Sequence, residues 1–232
     1  MKYNHILFDL DHTLWDYDAN AKETLSDLYD AYELARHGLF SIEAFIDTFF
    51  EVNSALWVEY NHDRIPKGYI RQNRFRKIFD QLRLPLQYYP AGIDEDYLHT
   101  CPTKTHTIPH AFEVLDHLKQ HFQLHILTNG FNDVQSVKLE KSGLMGYFDK
   151  VITSESAASK KPSAKIFEFT LAETGASKEE SLMIGDNLNT DIKGARDFGI
   201  DQVFYNPENT TDYQATYAIG NLLELKAILP GR

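Results

Sequence analysis

The sequence predicts an α/β fold, a doubly wound parallel sheet of the Rossmann-like type with an all-helical domain inserted after its first strand. Two observations support this prediction. From about residue 109 onward, short apolar runs alternate with helical periodicity, as in right-handed βαβ units. Between about residues 16 and 102, the apolar positions recur only at helical spacing. The predicted domains are therefore a core of residues 1–15 and 103–232 and an inserted helical domain of residues 16–102.

The first strand is predicted at His5–Phe8, an apolar run that leads directly into an Asp-x-Asp-x-Thr pattern. Its two carboxylates, Asp9 and Asp11, would lie at the carboxyl end of the strand, where open α/β sheets bind ligands. There one acid can attack an electrophile while the other exchanges a proton with the leaving group or with water. The pattern alone leaves a polar turn after an edge strand as an open alternative.

Four helices are predicted in the inserted domain, because apolar residues recur there at helical spacing. Gly38 is the predicted stop of the first helix, and Ser41 is the predicted N-cap of the second. The predicted ranges are about 18–39, 41–57, 69–84 and 94–100.

Strands and helices alternate through the rest of the core. The predicted strands are 124–127, 150–153, 181–184 and 202–205. The predicted helices are 109–121, which begins with proline in its first turn, 132–142, 163–174, 190–198 and a final helix over 219–229. Three of these segments carry polar residues. Each residue alone could have a purely structural role, as a strand-end cap, a surface charge or part of a turn. They are Thr128 and Asn129 after the strand 124–127, Lys161 before Pro162, and Asp186, Asn187 and Asp191 after the strand 181–184.

Taken together, these segments resemble the four-part signature of the haloacid dehalogenase superfamily of phosphohydrolases. The signature consists here of Phe8-Asp9-Leu10-Asp11-His12-Thr13, Leu127-Thr128-Asn129-Gly130, Lys161-Pro162 and Gly185-Asp186-Asn187. The inserted domain lies between the first two motifs, where the superfamily has a class I cap. Among phosphatases, the chain is most similar to the pyrimidine 5'-nucleotidase group, through stretches such as Leu56-Trp57-Val58-Glu59-Tyr60. It departs from that group in the approach to the lysine, at residues 155–160.

This resemblance implies a catalytic role for both acids of the first motif. Asp9 would attack phosphorus to form an aspartyl phosphate, and Asp11 would protonate the leaving group and then activate water. It also implies Mg²⁺ as cofactor, with Mn²⁺ or Co²⁺ as substitutes. The ion would bind side-chain oxygens of Asp9 and Asp186 and the main-chain carbonyl of Asp11.

The resemblance further implies a phosphate-binding set of Thr128, main-chain amides near Asn129, and a lysine. Lys160 and Lys161 compete for that last role, and Lys161 is favoured because it stands directly before the proline. Lys160 would then face solvent. Asp191 would orient the lysine or a metal-bound water, and Asn187 would lie beside the same site.

Residues of the inserted domain and its junction would decide the substrate. Arg71 and Arg74 share a face of the third helix and could attract an anion, although a solvated basic face is the simpler reading. Trp57 could stack on a nucleobase, although aromatic residues in a small helical bundle are more often core. Trp15 and Tyr17 follow the first motif, where the family has a flexible flap.

The function predicted is a Mg²⁺-dependent phosphatase of small phosphate monoesters, with nucleoside 5'-monophosphates favoured. A sugar-phosphate or phosphoglycolate-type phosphatase or phosphomutase is the alternative. Dehalogenation of haloacids is disfavoured because dehalogenases of this superfamily lack the acid at position 11. Phosphonate cleavage would need an activated lysine in the insert, and nothing marks Lys67 or Lys77 as one. An inactive binding module is disfavoured because all the acids are present.

Composition limits the partners. The formal charge of -11 and the pI near 5.3 argue against a nucleic-acid polymer or an anionic membrane, and leave a small phosphorylated metabolite as the partner. The single cysteine, Cys101, suits a reducing cytoplasm. We find no secretory pattern and no apolar stretch of about 18 residues. The expectation is a cytoplasmic enzyme, monomeric or homodimeric, with no membrane span.

Overall fold

The structure, a computed structural model, describes residues 2–209 and 215–231. The chain divides into two compact units. The core unit comprises Met1–Tyr17 and Thr105–Arg232, and the insert unit comprises Asp18–Lys104. The boundaries predicted from the sequence lie two residues earlier in the chain at each junction.

The core unit contains, among its described residues, a six-stranded sheet in the order β3-β2-β1-β4-β5-β6. Every neighbouring pair is parallel. The apolar side chains of β1 are buried, as is typical of a parallel strand covered on both faces. The strands are β1 His5–Phe8, β2 Gln123–Thr128, β3 Lys150–Thr153, β4 Ser181–Gly185, β5 Asp201–Tyr205 and β6 Tyr217–Ile219. The predicted doubly wound parallel sheet is confirmed.

The insert unit contains helices and no strand among its described residues, as the sequence predicted. Its α-helices are α1 Tyr17–Ala31, which begins in the core unit, α2 Ile42–Asn61, α3 Lys67–Gln81 and α4 Ile93–Thr100. Ser41 caps α2 as predicted, since its hydroxyl accepts a hydrogen bond from the main-chain amide of Ala44. Stacked and tilted aromatic rings fill the interior, among them Phe45, Phe75 and Phe79.

The α-helices of the core unit, among its described residues, are α5 Ala111–Lys119, α6 Asn132–Lys141, α7 Ala164–Thr174, α8 Lys193–Phe198 and α9 Leu225–Ile228. Helices α5, α7 and α8 contact strands of the sheet, and α9 contacts α5. Fully buried Leu7 and Met183 from the sheet form one apolar cluster with Ile166 and Phe167 of α7. Burial of apolar surface is the dominant favourable term in folding, and this cluster packs β1 and β4 against α7.

Several predicted elements end differently in the structure. The helix predicted over residues 18–39 is wrong beyond Ala31: Glu33 adopts a left-handed conformation, and a short 3₁₀ turn follows at Leu34–His37. Gly38, the predicted stop, closes that turn instead with φ of 62°. The helix predicted from residue 109 starts at Ala111, because His110 is left-handed.

The final predicted helix, residues 219–229, is also wrong. Tyr217–Ile219 forms the edge strand β6 beside β5, and a helical segment starts only after the N-cap Asn221. A strand this short gives no detectable alternation in the sequence, and its apolar positions are compatible with helical spacing. The helix predicted over residues 190–198 is an α-helix only from Lys193, and a π turn at Leu188–Ile192 comes before it.

Among the residues described here, no helix is both long enough and apolar enough to cross a membrane.

Candidate active site

The carboxyl ends of three neighbouring strands bring the first, second and fourth sequence motifs together. In the sheet register, Phe8 of β1 pairs with Ile126 of β2 on one side and Ile184 of β4 on the other. The main-chain amide of Asp9 still donates to the Ile184 carbonyl at 2.9 Å, so the aspartate is fixed where the strand ends. This edge of the sheet is where ligands bind in open α/β folds.

Lys161 is the central cation of the site, and only 1% of its side chain is exposed. Its ammonium group contacts Oδ1 of Asp9 at 2.7 Å and Oδ1 of Asp191 at 2.7 Å. It also donates to the main-chain carbonyl of Leu127 at 2.6 Å. These oxygens satisfy all three ammonium donors and offset the cost of burying the charge. The two carboxylates raise the lysine's pKa above its ordinary value, against the opposing effect of burial. Lys160 is only half-buried.

Asn129 holds the main chain that carries this lysine. Its Oδ1 accepts a hydrogen bond from the Lys161 amide at 2.8 Å, and its Nδ2 donates to the Lys161 carbonyl at 2.9 Å. The peptide bond between Lys161 and Pro162 is cis. The predicted phosphate-binding residue Asn129 therefore uses its side chain to fix Lys161, and its main chain remains at the strand end beside Thr128.

Asp9, Asp186 and Asp191 form an acidic cluster in which one oxygen from each lies within 4.8 Å of the others. Burial raises the pKa of Asp9 to about 8, because Lys161 only partly offsets burial and the neighbouring acids add to it. Burial and Asp191 likewise raise the pKa of Asp186 to about 7, against the hydrogen bond that Thr13 donates to it at 3.1 Å. When all three carboxylates are ionised, their negative charge exceeds the single positive charge of Lys161.

The last of these acids is fixed by the turn that follows β4. Asp191 accepts a hydrogen bond from the Asn187 amide at 3.0 Å through Oδ2. The side chain of Asn187 caps the same turn by accepting from the amides of Asn189 and Thr190. Gly185 is required beside it, since a Cβ there would lie 2.3 Å from an Asp191 oxygen. Asn187 therefore shapes the turn that carries Asp191.

Asp11 points to a different set of partners, both on α6, which the sequence reasoning missed. Oδ1 accepts from the Lys138 ammonium at 2.5 Å, and Oδ2 accepts from Nε2 of Gln135 at 3.0 Å. The side chain of Asp11 is therefore not part of the acidic cluster in this structure. The signal that could have found these partners is two long polar side chains at i and i+3 on the buried face of a predicted helix.

The two aromatic residues after the first motif lie in the core unit. Trp15 is fully buried, and its ring lies 4.3 Å from the Lys138 ammonium group. Tyr17 is half-buried, with its ring 5.6 Å from the same group. Both are therefore packed around the partner of Asp11.

The predicted substrate residues of the insert unit have mixed environments. Arg74 is 6% exposed, donates to Asn53 Oδ1 at 3.1 Å, and lies 4.5 Å over the Tyr97 ring. Arg71 is half-buried. Trp57 is half-buried, with its ring 5.4 Å from that of Tyr60. The solvated basic face considered from the sequence therefore does not include Arg74.

Comparison with known proteins identifies the family. A family model of haloacid dehalogenase-like hydrolases matches residues 3–199. The pyrimidine 5'-nucleotidase PynA of Streptococcus pneumoniae is 34% identical over 97% of this chain and 94% of its own. The pyrimidine 5'-nucleotidase YjjG of Escherichia coli is 29% identical over 99% of both chains.

A solved structure supports the same assignment. The crystal structure of the HAD-hydrolase YfnB from Bacillus subtilis, bound to magnesium, matches with a TM-score of 0.87, at 27% identity over 99% of each chain. The chain belongs to the haloacid dehalogenase-like hydrolases. The family and the enzyme class predicted from the sequence are confirmed.

Proposed function

We propose that this hydrolase is a Mg²⁺-dependent phosphatase of phosphate monoesters, through an aspartyl phosphate on Asp9, and that it prefers nucleoside 5'-monophosphates. The observation that carries the proposal is the contact of Asp9 with a fully buried lysine at the edge of the sheet. A phosphate monoester is a dianion, so an attacking carboxylate needs positive charge beside it. Lys161 supplies that charge next to the oxygens of Asp9.

The donor set fits a hard divalent cation. The acidic cluster offers only oxygen atoms, and in its ionised form it carries more negative charge than Lys161 can neutralise. Asp9 and Asp186 would hold Mg²⁺ through their carboxylates, and Asp11 through its main-chain carbonyl. When bound, the ion would supply positive charge that offsets the negative charge of the carboxylates and of a phosphate monoester. Asp191 would keep Lys161 in place rather than bind the substrate.

The chain's own residues can carry out both halves of the reaction. An oxygen of Asp9 forms a bond to phosphorus while the phosphorus–ester oxygen bond breaks, and the departing oxygen keeps the bonding electron pair and takes a proton from Asp11. In the second half, Asp11 takes a proton from water as the water oxygen attacks phosphorus. The bond between Asp9 and phosphorus then breaks, which releases inorganic phosphate and restores both acids.

Lys161 and Thr128 would bind the phosphoryl oxygens. The Thr128 hydroxyl is buried at the end of β2, and main-chain amides follow it toward Gly130. Donors fixed in this way stabilise charge that develops in the transition state without reorganising. Because they contact only the phosphoryl group, they cannot distinguish one ester from another.

The preference for nucleotides rests on the relatives. PynA and YjjG are both pyrimidine 5'-nucleotidases, and the alignments with them include nearly the whole insert unit. We expect kcat/KM for deoxyuridine or thymidine 5'-monophosphate to exceed that for glucose 6-phosphate or phosphoglycolate by at least about tenfold. Phosphate release from this panel, with Mg²⁺ present, measures the preference. A panel in which the sugar phosphates are the better substrates would contradict the nucleotidase assignment and favour a sugar-phosphate phosphatase.

A further inference from the structure

We infer that Gln135, together with Lys138, is a positioning residue that holds the acid–base group Asp11 and the phosphate-binding hydroxyl of Thr128 in one fixed arrangement. Neither residue belongs to the four sequence motifs. The inference rests on the proposed function, since it concerns the groups that protonate the leaving oxygen and bind the phosphoryl group.

The two residues hold both oxygens of the Asp11 carboxylate. Lys138 donates to Oδ1 at 2.5 Å, and Gln135 donates to Oδ2 at 3.0 Å. Two donors on two different oxygens fix the rotation of the carboxylate plane as well as its position. Each oxygen has a second lone pair, which is left for the proton that Asp11 exchanges in the reaction.

Gln135 also orients Thr128. Its Nε2 donates to the Thr128 Oγ1 at 2.8 Å, and the Gly130 amide donates to the same oxygen at 3.0 Å. Because Oγ1 accepts both hydrogen bonds, its own proton is directed away from them and can be donated to a phosphate oxygen. The side-chain amide of Gln135 therefore connects the acid–base group to the phosphate-binding group through a single nitrogen.

The orientation of this amide is determined by its neighbours. Exchanging its oxygen and nitrogen would place Oε1, an acceptor, against Oδ2 of Asp11, which would then lose the hydrogen bond that Nε2 donates to it. In the observed orientation, Oε1 is buried and has no hydrogen-bond partner among the described residues. A buried acceptor without a partner costs stability. The amide therefore donates to both Asp11 and Thr128 through Nε2, while its Oε1 lacks a hydrogen bond.

Packing locks both side chains. Gln135 is fully buried, and only glycine at position 130 leaves room for it, since a Cβ there would lie 2.2 Å from its Nε2. The Lys138 ammonium lies 4.3 Å from the centre of the buried Trp15 ring, which favours a cation over its face. Side chains held in this way can position catalytic groups with little loss of entropy on binding.

The two residues make different contacts, and this gives a test. Lys138 contacts Asp11, whereas Gln135 contacts Asp11 and Thr128. Misplacing Asp11 should slow esters whose leaving oxygen needs a proton, such as deoxyuridine 5'-monophosphate. It should spare kcat/KM for p-nitrophenyl phosphate, because p-nitrophenolate leaves as a stable anion. The later step, in which Asp11 activates water, follows the departure of the leaving group and affects kcat but not kcat/KM. Misplacing Thr128 should weaken the binding of any phosphoryl group, including inorganic phosphate.

The experiment measures kcat/KM for both esters, and competitive inhibition by inorganic phosphate, in the Mg²⁺-loaded enzyme. For Lys138→Met we expect a loss of about 30-fold or more with deoxyuridine 5'-monophosphate and less than about threefold with p-nitrophenyl phosphate. For Gln135→Leu we expect the same selective loss and, in addition, about tenfold weaker inhibition by phosphate. The matched control is Lys141→Met, an exposed lysine on the same helix, which should behave as the wild type.

Gly130→Ala provides a second route to the same result, because it displaces the Gln135 amide while keeping it in the sequence. It should reproduce the Gln135→Leu pattern, and melting temperatures identify any variant that is simply unfolded. Equal losses with the two esters in Lys138→Met, or unchanged inhibition by phosphate in both Gln135→Leu and Gly130→Ala, would overturn the inference. These results are distinct from a failure of the proposed function, in which the wild type and Lys141→Met would hydrolyse neither ester.

Discussion

At the scale of single residues, the site depends on one buried ammonium group shared by two carboxylates. Lys161 contacts Asp9 and Asp191, each at 2.7 Å, and is almost inaccessible to solvent. Breaking a buried ion pair by removing one partner is strongly destabilising, because the remaining charges lose their compensation. Lys161 therefore matters both for the folded state and for the charge beside the proposed nucleophile.

The adjacent lysines allow a matched comparison. Lys161→Met should lower kcat/KM for phosphate monoesters by about 10³-fold or more, because the positive charge beside Asp9 is lost. Lys160→Met should change kcat/KM by less than about threefold, because this side chain is half-buried and outside the contacts of Asp9. Steady-state kinetics of both variants, with melting temperatures as a check on folding, decide the assignment. Comparable losses in the two variants would contradict it.

The sequence was sufficient for most of the residues at this edge of the sheet, and the reason is local. Asp9, Thr128 and Asp186 each follow a short apolar run directly, so a parallel sheet brings them to one edge. The prediction of Lys161 rested on the resemblance to a known family, because this residue lies outside the strands and no apolar run places it at the edge of the sheet. Gln135 and Lys138 were missed because their contacts with Asp11 are long-range and only their burial reveals them.

At the scale of secondary-structure elements, the parts of the fold that were predicted are those with a local sequence signal. Strand β3 contains adjacent β-branched apolar residues, and the N-cap of α2 is a single serine. The elements predicted wrongly depend on single backbone conformations, as at Glu33, or on edge pairing, as at Tyr217–Ile219. Neither leaves a periodic pattern in the sequence.

Helix α3 of the insert unit shows how packing changes the meaning of a charged residue. From its spacing, Arg74 was a candidate for substrate capture, but its guanidinium is buried between the rings of Tyr97 and Phe49 and bonded to Asn53. Cations on desolvated aromatic faces contribute about 2 kcal/mol. Arg74 therefore contributes to the packing of α3 against its neighbours.

Truncating this side chain tests its structural role. Arg74→Ala should lower the free energy of unfolding by about 2–4 kcal/mol, through lost ring contacts and a cavity. Arg76→Ala is the matched control, because that arginine is exposed on the same helix and should change stability by less than about 0.5 kcal/mol. Denaturant titration of both variants measures the difference. A normal stability for Arg74→Ala would contradict this packing role and restore Arg74 as a candidate for contact with substrate.

At the scale of the whole molecule, the acidic cluster links stability, metal binding and pH. Burial raises the pKa of Asp9 to about 8 and that of Asp186 to about 7, from an ordinary value of 3.8. Without metal, the folded chain therefore binds more protons than the unfolded chain from the ordinary pKa of 3.8 up to the raised pKa values of about 7 and 8. Its stability should fall as the pH rises through that range, because stability decreases wherever the folded state binds more protons.

Magnesium should reverse this trend, since it binds the ionised carboxylates and competes with protons. The rise in melting temperature between excess EDTA and excess Mg²⁺ should be larger at about pH 8.5 than at about pH 6. Asp186→Asn should remove most of the rise, because the variant loses a proposed ligand and its charge. An equal or larger rise at the lower pH would contradict the assignment of the ion to this cluster.

The most direct test of the proposed function is the release of inorganic phosphate from p-nitrophenyl phosphate and deoxyuridine 5'-monophosphate by the wild type and by Asp9→Asn. We expect turnover by the wild type with Mg²⁺, loss of that turnover in excess EDTA, and a decrease of about 10⁴-fold or more in Asp9→Asn. The amide of asparagine matches the aspartate in shape but cannot form the phosphoenzyme. Undiminished turnover in EDTA, or rapid turnover by Asp9→Asn, would contradict a metal-dependent reaction through Asp9.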